Sequence, residues 1–379
     1  MKDVIDIDRL VELVKDLIRF DSSNPPGGES EVARYLAGVM EDLGAEVELL
    51  SAGDGRDSIV ATVVGKNPNR TLAVSGHIDV VPVVGQTWSR DPFDPKVSGD
   101  RLYGRGACDM KGGIGAAIEA IRALRDQNSL PSANVAFHLV ADEETGGTFG
   151  TRWLMERGHL AADACLVAEP TGLHVGVAER GALFARLTVH GQGGHGSVPE
   201  SGVSAVAGAA RVVDALHMRD FGVAHPLLGR TTCNVGTISG GAAPNVIAES
   251  CVIEVDRRML PGATRESAIQ ELLDVVESLE LSVDVDAEAI VFVEASEIDR
   301  AHPVVEWIDQ TVRSVRSESK IVGSMLGSDA RFYRNTLSIP TVLLGPGDIT
   351  QAHTADEWVS LADLTDAASI YLRAFQSFQ

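Results

Sequence analysis

Along the first 170 residues the apolar positions switch back and forth between helical spacing and short unbroken runs. A chain with that alternation folds as helices packed on a mostly parallel sheet. Ile7, Leu10, Val11, Val14, Leu17 and Ile18 recur at helical spacing, and Asn24-Pro25-Pro26-Gly27-Gly28 breaks the run. Val32, Tyr35, Leu36, Val39, Met40 and Leu43 give a second amphipathic helix, with Gly44 as its stop. Strands are expected at 46–50, 58–64, 71–75, 134–140 and 164–168, and a small-residue helix opens at Gly112 and runs to about Arg125. Residues 83–103, rich in Pro, Gly and Asp, read as a long loop, and loops of that length are often functional.

From residue 180 the order changes. Leu183 to His190 alternates like a strand, 203–217 is helical, 231–238 and 250–258 read as strands, 265–280 as a helix and 281–285 as a strand. That order is β-α-β-β-α-β, the ferredoxin-like split unit, and it makes a complete small α+β domain. A helix near 303–316, a strand at 340–344 and a last helix from 360 restore the first pattern. The expected organisation is therefore one domain of residues 1–179 and 295–379 with residues 180–294 inserted in it.

Composition narrows the function. At 379 residues and 44% hydrophobic the chain can bury a large core, and a formal charge of −22 argues against nucleic acid or an anionic membrane as partner. Cys108, Cys165, Cys233 and Cys251 are scattered, which fits a reducing cytoplasm better than a disulfide framework. Met1-Lys2-Asp3-Val4-Ile5-Asp6 carries acids where a signal peptide has basic and apolar regions, and no apolar run reaches membrane-span length.

Chemistry concentrates at strand ends, where open α/β sheets bind their ligands. His77 follows the 71–75 strand, Glu143 and Glu144 follow 134–140, Glu169 follows 164–168, His353 lies beyond 340–344, and Asp109 precedes the small-residue helix. Singly, each has an ordinary reading: a solvated acid, a turn residue, a helix cap or a loop histidine. Together, two histidines and several carboxylates at one sheet edge suit zinc or a related divalent ion, and the surplus of acids favours two ions over one.

The motifs GHIDVVP at 76–82, W-x-x-D-P-F at 88–93, YGRGACDMKGG at 103–113, ADEETGG at 141–147, AEPT at 168–171 and GPGDITQAHTADEW at 345–358 carry a resemblance. The chain resembles the zinc metallopeptidase and amidohydrolase family of acetylornithine deacetylase, succinyl-diaminopimelate desuccinylase, aminoacylase and related carboxypeptidases. The resemblance implies a zinc exopeptidase-like catalytic domain, with the insert as a lid and dimerisation domain of a homodimer. It implies that His77 and Glu169 hold one ion, Glu144 and His353 the other, and Asp109 both. The ions would be zinc, with cobalt or manganese as alternatives. It further implies that Asp79 orients His77, that Glu143 is the general base acting on water, and that a cis peptide follows Asp109.

By the same resemblance His195, in Gly194-His195-Gly196-Ser197-Val198-Pro199, stabilises an oxyanion in the neighbouring subunit's site. Asn245, Arg258, Ser328 and Arg331 match substrate-facing segments, with Arg258 placed to clamp a substrate carboxylate. The implied substrate is an N-acyl amino acid or a short peptide, with acetylornithine deacetylase-like chemistry foremost. Desuccinylase or dipeptidase activity is the alternative, and a non-catalytic binding protein the remote one. Glu179-Arg180-Gly181 stands where desuccinylases carry two arginines before the glycine, which weakens the succinyl reading. Gly191-x-Gly193-x-x-Gly196 matches a dinucleotide pattern, but Ser197 to Gly202 separates it from the next helix; no G-x-S-x-G occurs.

Overall fold

The computed structural model describes residues 4–379; Met1 to Asp3, part of the stretch compared with a leader, lie outside the described residues. The chain forms two compact units: one runs up to Val177 and includes Ile298–Val322 and Ser328–Gln379, the other comprises Ala178–Glu297 and Gly323–Gly327.

In the first unit the sheet order is Glu46–Ser51, Asp57–Val63, Ala133–Val140, Asn67–His77, Ala164–Pro170, Thr341–Gly345 and Val175–Glu179, the last of which leads into the second unit. The four strands from Ala133–Val140 to Thr341–Gly345 are mutually parallel. The flanking pairs are antiparallel, so the sheet is mixed with a parallel centre. Leu72, Val74, Phe137, Leu166 and Leu343 bury at its middle, as strands covered on both faces require. Helices Ile7–Arg19, Lys111–Asp126 and Leu361–Ser377 pack on one another, and Ser30–Asp42 packs on the first two strands.

Close approach of one helix to the strand ends depends on missing side chains. A Cβ on Gly76 would lie 2.7 Å from Ile114 Cγ1, and one on Gly113 would lie 2.4 Å from the carbonyl oxygen of Ala168. The N-terminus of the Lys111–Asp126 helix therefore seats directly against the ends of the strands that carry His77 and Glu169.

The second unit has a four-stranded antiparallel sheet in the order Thr232–Gly240, Ser250–Met259, Gly181–His190, Asp284–Val293. Helices Ala205–Leu216 and Arg265–Glu277 complete the split unit. Leu183, Ala185, Leu187 and Val189 alternate inward and meet Val212 and Leu272 from the helices.

Some elements differ from expectation. The strand expected at 281–285 is Asp284–Val293; small Ala287 and Ala289 occupy its inward positions between acids and hide the alternation. Val175–Glu179, its apolar run interrupted by Gly176, and the four-residue Ile321–Ser324 are further strands, and the 83–103 loop contains the paired strands Lys96–Ser98 and Arg101–Tyr103.

A buried polar chain crosses the parallel centre. His138 Nδ1 donates to the Tyr333 hydroxyl at 2.9 Å, and that hydroxyl donates to Ser75 Oγ at 3.2 Å. The imidazole and phenol rings stack with centroids 5.9 Å apart. His138 Nε2 is buried without a hydrogen-bond partner among the described residues, and burial lowers the pKa from 6.5 to about 4. The unfolded chain therefore binds a proton that the folded chain refuses between those two values. Stability from the neutral ring is complete above about pH 6.5 and is lost as pH falls toward 4. Urea unfolding across this window should give a steeper decline for the native chain than for His138→Asn. The difference should approach at most about 1.4 kcal/mol per pH unit. Parallel declines would mean the ring gains no proton on unfolding.

Candidate metal centre

Each candidate ligand sits where an element ends. His77 is the last residue of its strand, Glu169 the penultimate residue of Ala164–Pro170, and Glu143–Thr145 form a short 3-10 turn after Ala133–Val140. Asp109 precedes the Lys111–Asp126 helix across a cis peptide to Met110, and His353 follows the Thr341–Gly345 strand with a φ of 59°. A non-glycine residue in that left-handed region costs on the order of 1–3 kcal/mol, so surrounding contacts must hold it there.

These residues form two clusters, His77–Asp109–Glu169 and Asp109–Glu144–His353, with one potential ligand atom per residue and all such atoms in a cluster within 4.8 Å. Asp109 belongs to both. Its Oδ1 lies 3.0 Å from His77 Nε2, and its Oδ2 lies 3.3 Å from His353 Nε2. Glu169 Oε1 is 3.8 Å from His77 Nε2, and Glu144 Oε2 is 3.2 Å from His353 Nε2.

Burial dominates the electrostatics. It pushes Glu143 and Glu169 well above the usual carboxylate range and raises Glu144, although the His353 hydrogen bond pulls Glu144 the other way. Burial also acts to raise Asp109, but hydrogen bonds from His353 and His77 outweigh it and hold the carboxyl below its ordinary value. Hydrogen bonds to Asp109 and Glu144 push His353 up to about 11. Burial opposes charge on His77, yet its bonds to Asp109 and Asp79 raise it well above 6.5. The residues fit divalent ions: borderline nitrogen donors stand beside hard carboxylate oxygens, and Glu144 Oε1 is buried with no hydrogen-bond partner among the described residues.

Asp79 ties the clusters together. His77 Nδ1 donates to the Asp79 carbonyl oxygen at 2.9 Å, while the nearer carboxylate oxygen is 3.6 Å away. The carboxylate instead accepts the Glu143 and Glu144 amides at 3.2 and 3.1 Å and Asn24 Nδ2 at 2.8 Å. Arg56 extends this network, donating to Asn24 Oδ1 at 2.9 Å, Asp142 Oδ1 at 2.7 Å and Glu29 Oε1 at 2.5 Å, all buried. On the other side Glu357 accepts the Cys108 and Asp109 amides at 2.8 and 3.0 Å and pairs with buried Arg105 at 2.6 Å. Sequence reasoning missed Asn24, Glu29, Arg56, Arg105 and Glu357 as support. Asn24 is visible only as part of a chain-breaking stretch, and Arg105 and Glu357 only as letters within motifs.

Ser328 and Arg331 lie near the Glu143 turn, but Arg331 is buried and donates to Ser328 O at 2.7 Å and Gly146 O at 2.9 Å. This guanidinium braces two loops. In the second unit, exposed His195 pairs in register with Val246, and the Gly196 amide donates to Asn245 O at 2.9 Å, which brings His195 and Asn245 together. Arg258 lies at the other end of Ser250–Met259, 3.0 Å from Asp256. Glu179 is buried and accepts Ser296 Oγ at 2.9 Å, so its charge is not presented at the surface.

Arg56 compensates two buried carboxylates at once. Arg56→Met should cost about 3–5 kcal/mol in urea unfolding, because Glu29 and Asp142 are left uncompensated. Adding Glu29→Met should restore part of that loss; strict additivity of the two changes would show the pair is not coupled.

Comparison with known proteins places these residues in context. The sequence pattern of the peptidase family M20/M25/M40 matches residues 73–377. The chain is 31% identical to succinyl-diaminopimelate desuccinylase of Gluconobacter oxydans (strain 621H), over 97% of each chain. It is 30% identical to acetylornithine deacetylase of Edwardsiella ictaluri (strain 93-146), over 86% of this chain and 85% of that one. Its fold is similar to the crystal structure of aminopeptidase PepT from Bacillus cereus ATCC 10987, with a TM-score of 0.82 over 97% and 98% of the two chains at 23% identity.

Proposed function

The chain belongs to the peptidase family M20/M25/M40, and from that premise we propose that it hydrolyses the amide bond of an N-acyl amino acid in the manner of an acetylornithine deacetylase. The observation that carries the reading is Asp109, which turns one carboxylate oxygen toward each histidine cluster. His77 and Glu169 would hold one divalent ion, Glu144 and His353 the other, and Asp109 both. Zinc suits the donors best, with cobalt or manganese as substitutes. When bound, such ions supply Lewis acidity to a carbonyl and lower the pKa of water.

The chain's own groups do the rest. Glu143 takes the proton from the attacking water and returns it to the leaving nitrogen. Its position follows from the hydrogen bond that its backbone N–H donates to the Asp79 carboxylate, the same residue whose carbonyl fixes the ring orientation of His77. Ser328 and Arg331 shape the wall behind that turn. Arg258 clamps the substrate carboxylate once it leaves Asp256, a bidentate task for which its planar fork is suited. His195 and Asn245 serve the oxyanion and substrate in the partner subunit of a cytoplasmic homodimer assembled through the second unit.

The desuccinylase reading stands second. It is favoured by the Gluconobacter relative and by the burial of Glu179, which removes the anion that the sequence set against an acidic acyl arm. N-acetyl, N-succinyl and dipeptide substrates, each assayed with zinc, cobalt and manganese, separate these cases. Faster turnover of the N-succinyl substrate would reverse their order.

Two mutational outcomes follow. Glu143→Ala should retain both ions by metal analysis and lose ~10²–10⁴ in kcat, whereas Glu144→Ala should lose one ion. Near-native turnover in Glu143→Ala would remove it as the base. For His195, inactive His195→Ala and Glu143→Ala chains reassembled together should regain roughly a quarter of native activity, since half the dimers are mixed and carry one sound site. Mixed dimers without activity would place His195 in its own subunit's site or outside the chemistry.

A further inference from the structure

The His353 ligand sits in the strained part of its loop, and one side chain from the long 83–103 loop reaches its backbone. Gln86 Nε2 donates to the His353 carbonyl oxygen at 2.7 Å, at a residue whose φ is 59°. The orientation of that amide is fixed from behind. Gln86 Oε1 accepts from Arg105 Nη2 at 2.6 Å and from Trp88 Nε1 at 3.1 Å, so only the NH₂ end faces His353. Arg105 is itself immobilised: it is buried, bonded to Glu357 at 2.6 Å and to Thr354 O at 3.3 Å, and lies 5.0 Å from the centroid of the Trp88 ring. Further along, the Ser89 amide and hydroxyl both reach Asp356 Oδ1 at 3.0 Å, and Asp356 is a second non-glycine residue with positive φ, 56°.

We propose that Gln86 is a positioning residue for the Asp109–Glu144–His353 metal site: its hydrogen bond holds His353 in the left-handed conformation that aims Nε2 at Glu144 and Asp109. Without this bond, His353 relaxes toward negative φ, where an L-residue is unstrained. That rotation changes the direction of Cβ and carries the imidazole off its partners. Among the described residues the hydrogen bonds of the Gln86 side chain go to His353, Trp88 and Arg105 and none goes to His77, Asp109 or Glu169, so the His77–Asp109–Glu169 cluster keeps its geometry. The inference rests on the metal reading above, and its test separates the two.

The metal-free protein is titrated with cobalt(II), following heat and visible absorption, with His353→Ala and His77→Ala assigning each binding step to its cluster. Gln86→Glu is the informative variant. It keeps the acceptor for Arg105 and Trp88 but cannot donate to the His353 carbonyl; Gln86→Ala removes both functions. The step abolished in His353→Ala should weaken about tenfold in both Gln86 variants, with an altered absorption band. The other step should stay within about twofold, and the metal-free urea midpoint of Gln86→Glu should match the native one. Two unchanged steps, or an equal fall in both, overturn the role of Gln86 and leave the metal reading intact. A native chain that takes up no cobalt overturns both.

Discussion

The structure depends on sharing one carboxylate. Asp109 faces two histidines with separate oxygens, and each histidine faces a further acid. A carboxylate has little freedom to serve two partners unless its backbone is fixed, and here the backbone is fixed from both sides. Glu357 accepts the amides of Cys108 and Asp109. The helix that follows is drawn against the strand ends because Gly113 leaves no side chain between them. Packing thereby sets the separation of the clusters, and the titration behaviour of the acids and imidazoles follows from that separation.

A site so rich in buried acid is unfavourable by itself. Each carboxylate loses solvation, and each raises its neighbours. The fold meets this cost with donors rather than distance: three N–H groups on Asp79, two on Glu357, and the Arg56 guanidinium across Glu29 and Asp142. Two of these N–H groups are the backbone amides of Glu144 and Asp109 themselves, so the donors that satisfy buried acid also fix the backbone of the candidate ligands.

The candidate ligands were legible in the sequence because their chemistry is in their letters and their places are at strand ends, and the fold brings them into two clusters. His77, Glu169 and His353 each lie beyond an apolar run, and although each has an ordinary reading singly, together they converge on one sheet edge. The parallel centre and the split unit were legible for a similar reason, since buried runs and alternation announce themselves. Support was not. Asn24 and Arg56 meet Asp79 and Asp142 only after folding, from segments with no periodicity in common. Arg331 shows the converse: its motif suggested a ligand contact, while its surroundings assign its guanidinium to two carbonyl oxygens.

The Asn24–Glu29–Arg56 network also bears on where this protein begins in a functional sense. The family pattern matches from residue 73, and every candidate ligand lies after it. Yet the groups that neutralise Asp142 and tether Asp79 lie before it. An N-terminal deletion drawn at the family boundary would look conservative on paper and keep the whole ligand set. It would also strip Asp142 of the Arg56 guanidinium and Asp79 of the Asn24 amide, the two carboxylates that brace the turn beside that set. Exchanging N-terminal segments between relatives is therefore an exchange of support for the candidate metal centre, even though no candidate ligand changes hands.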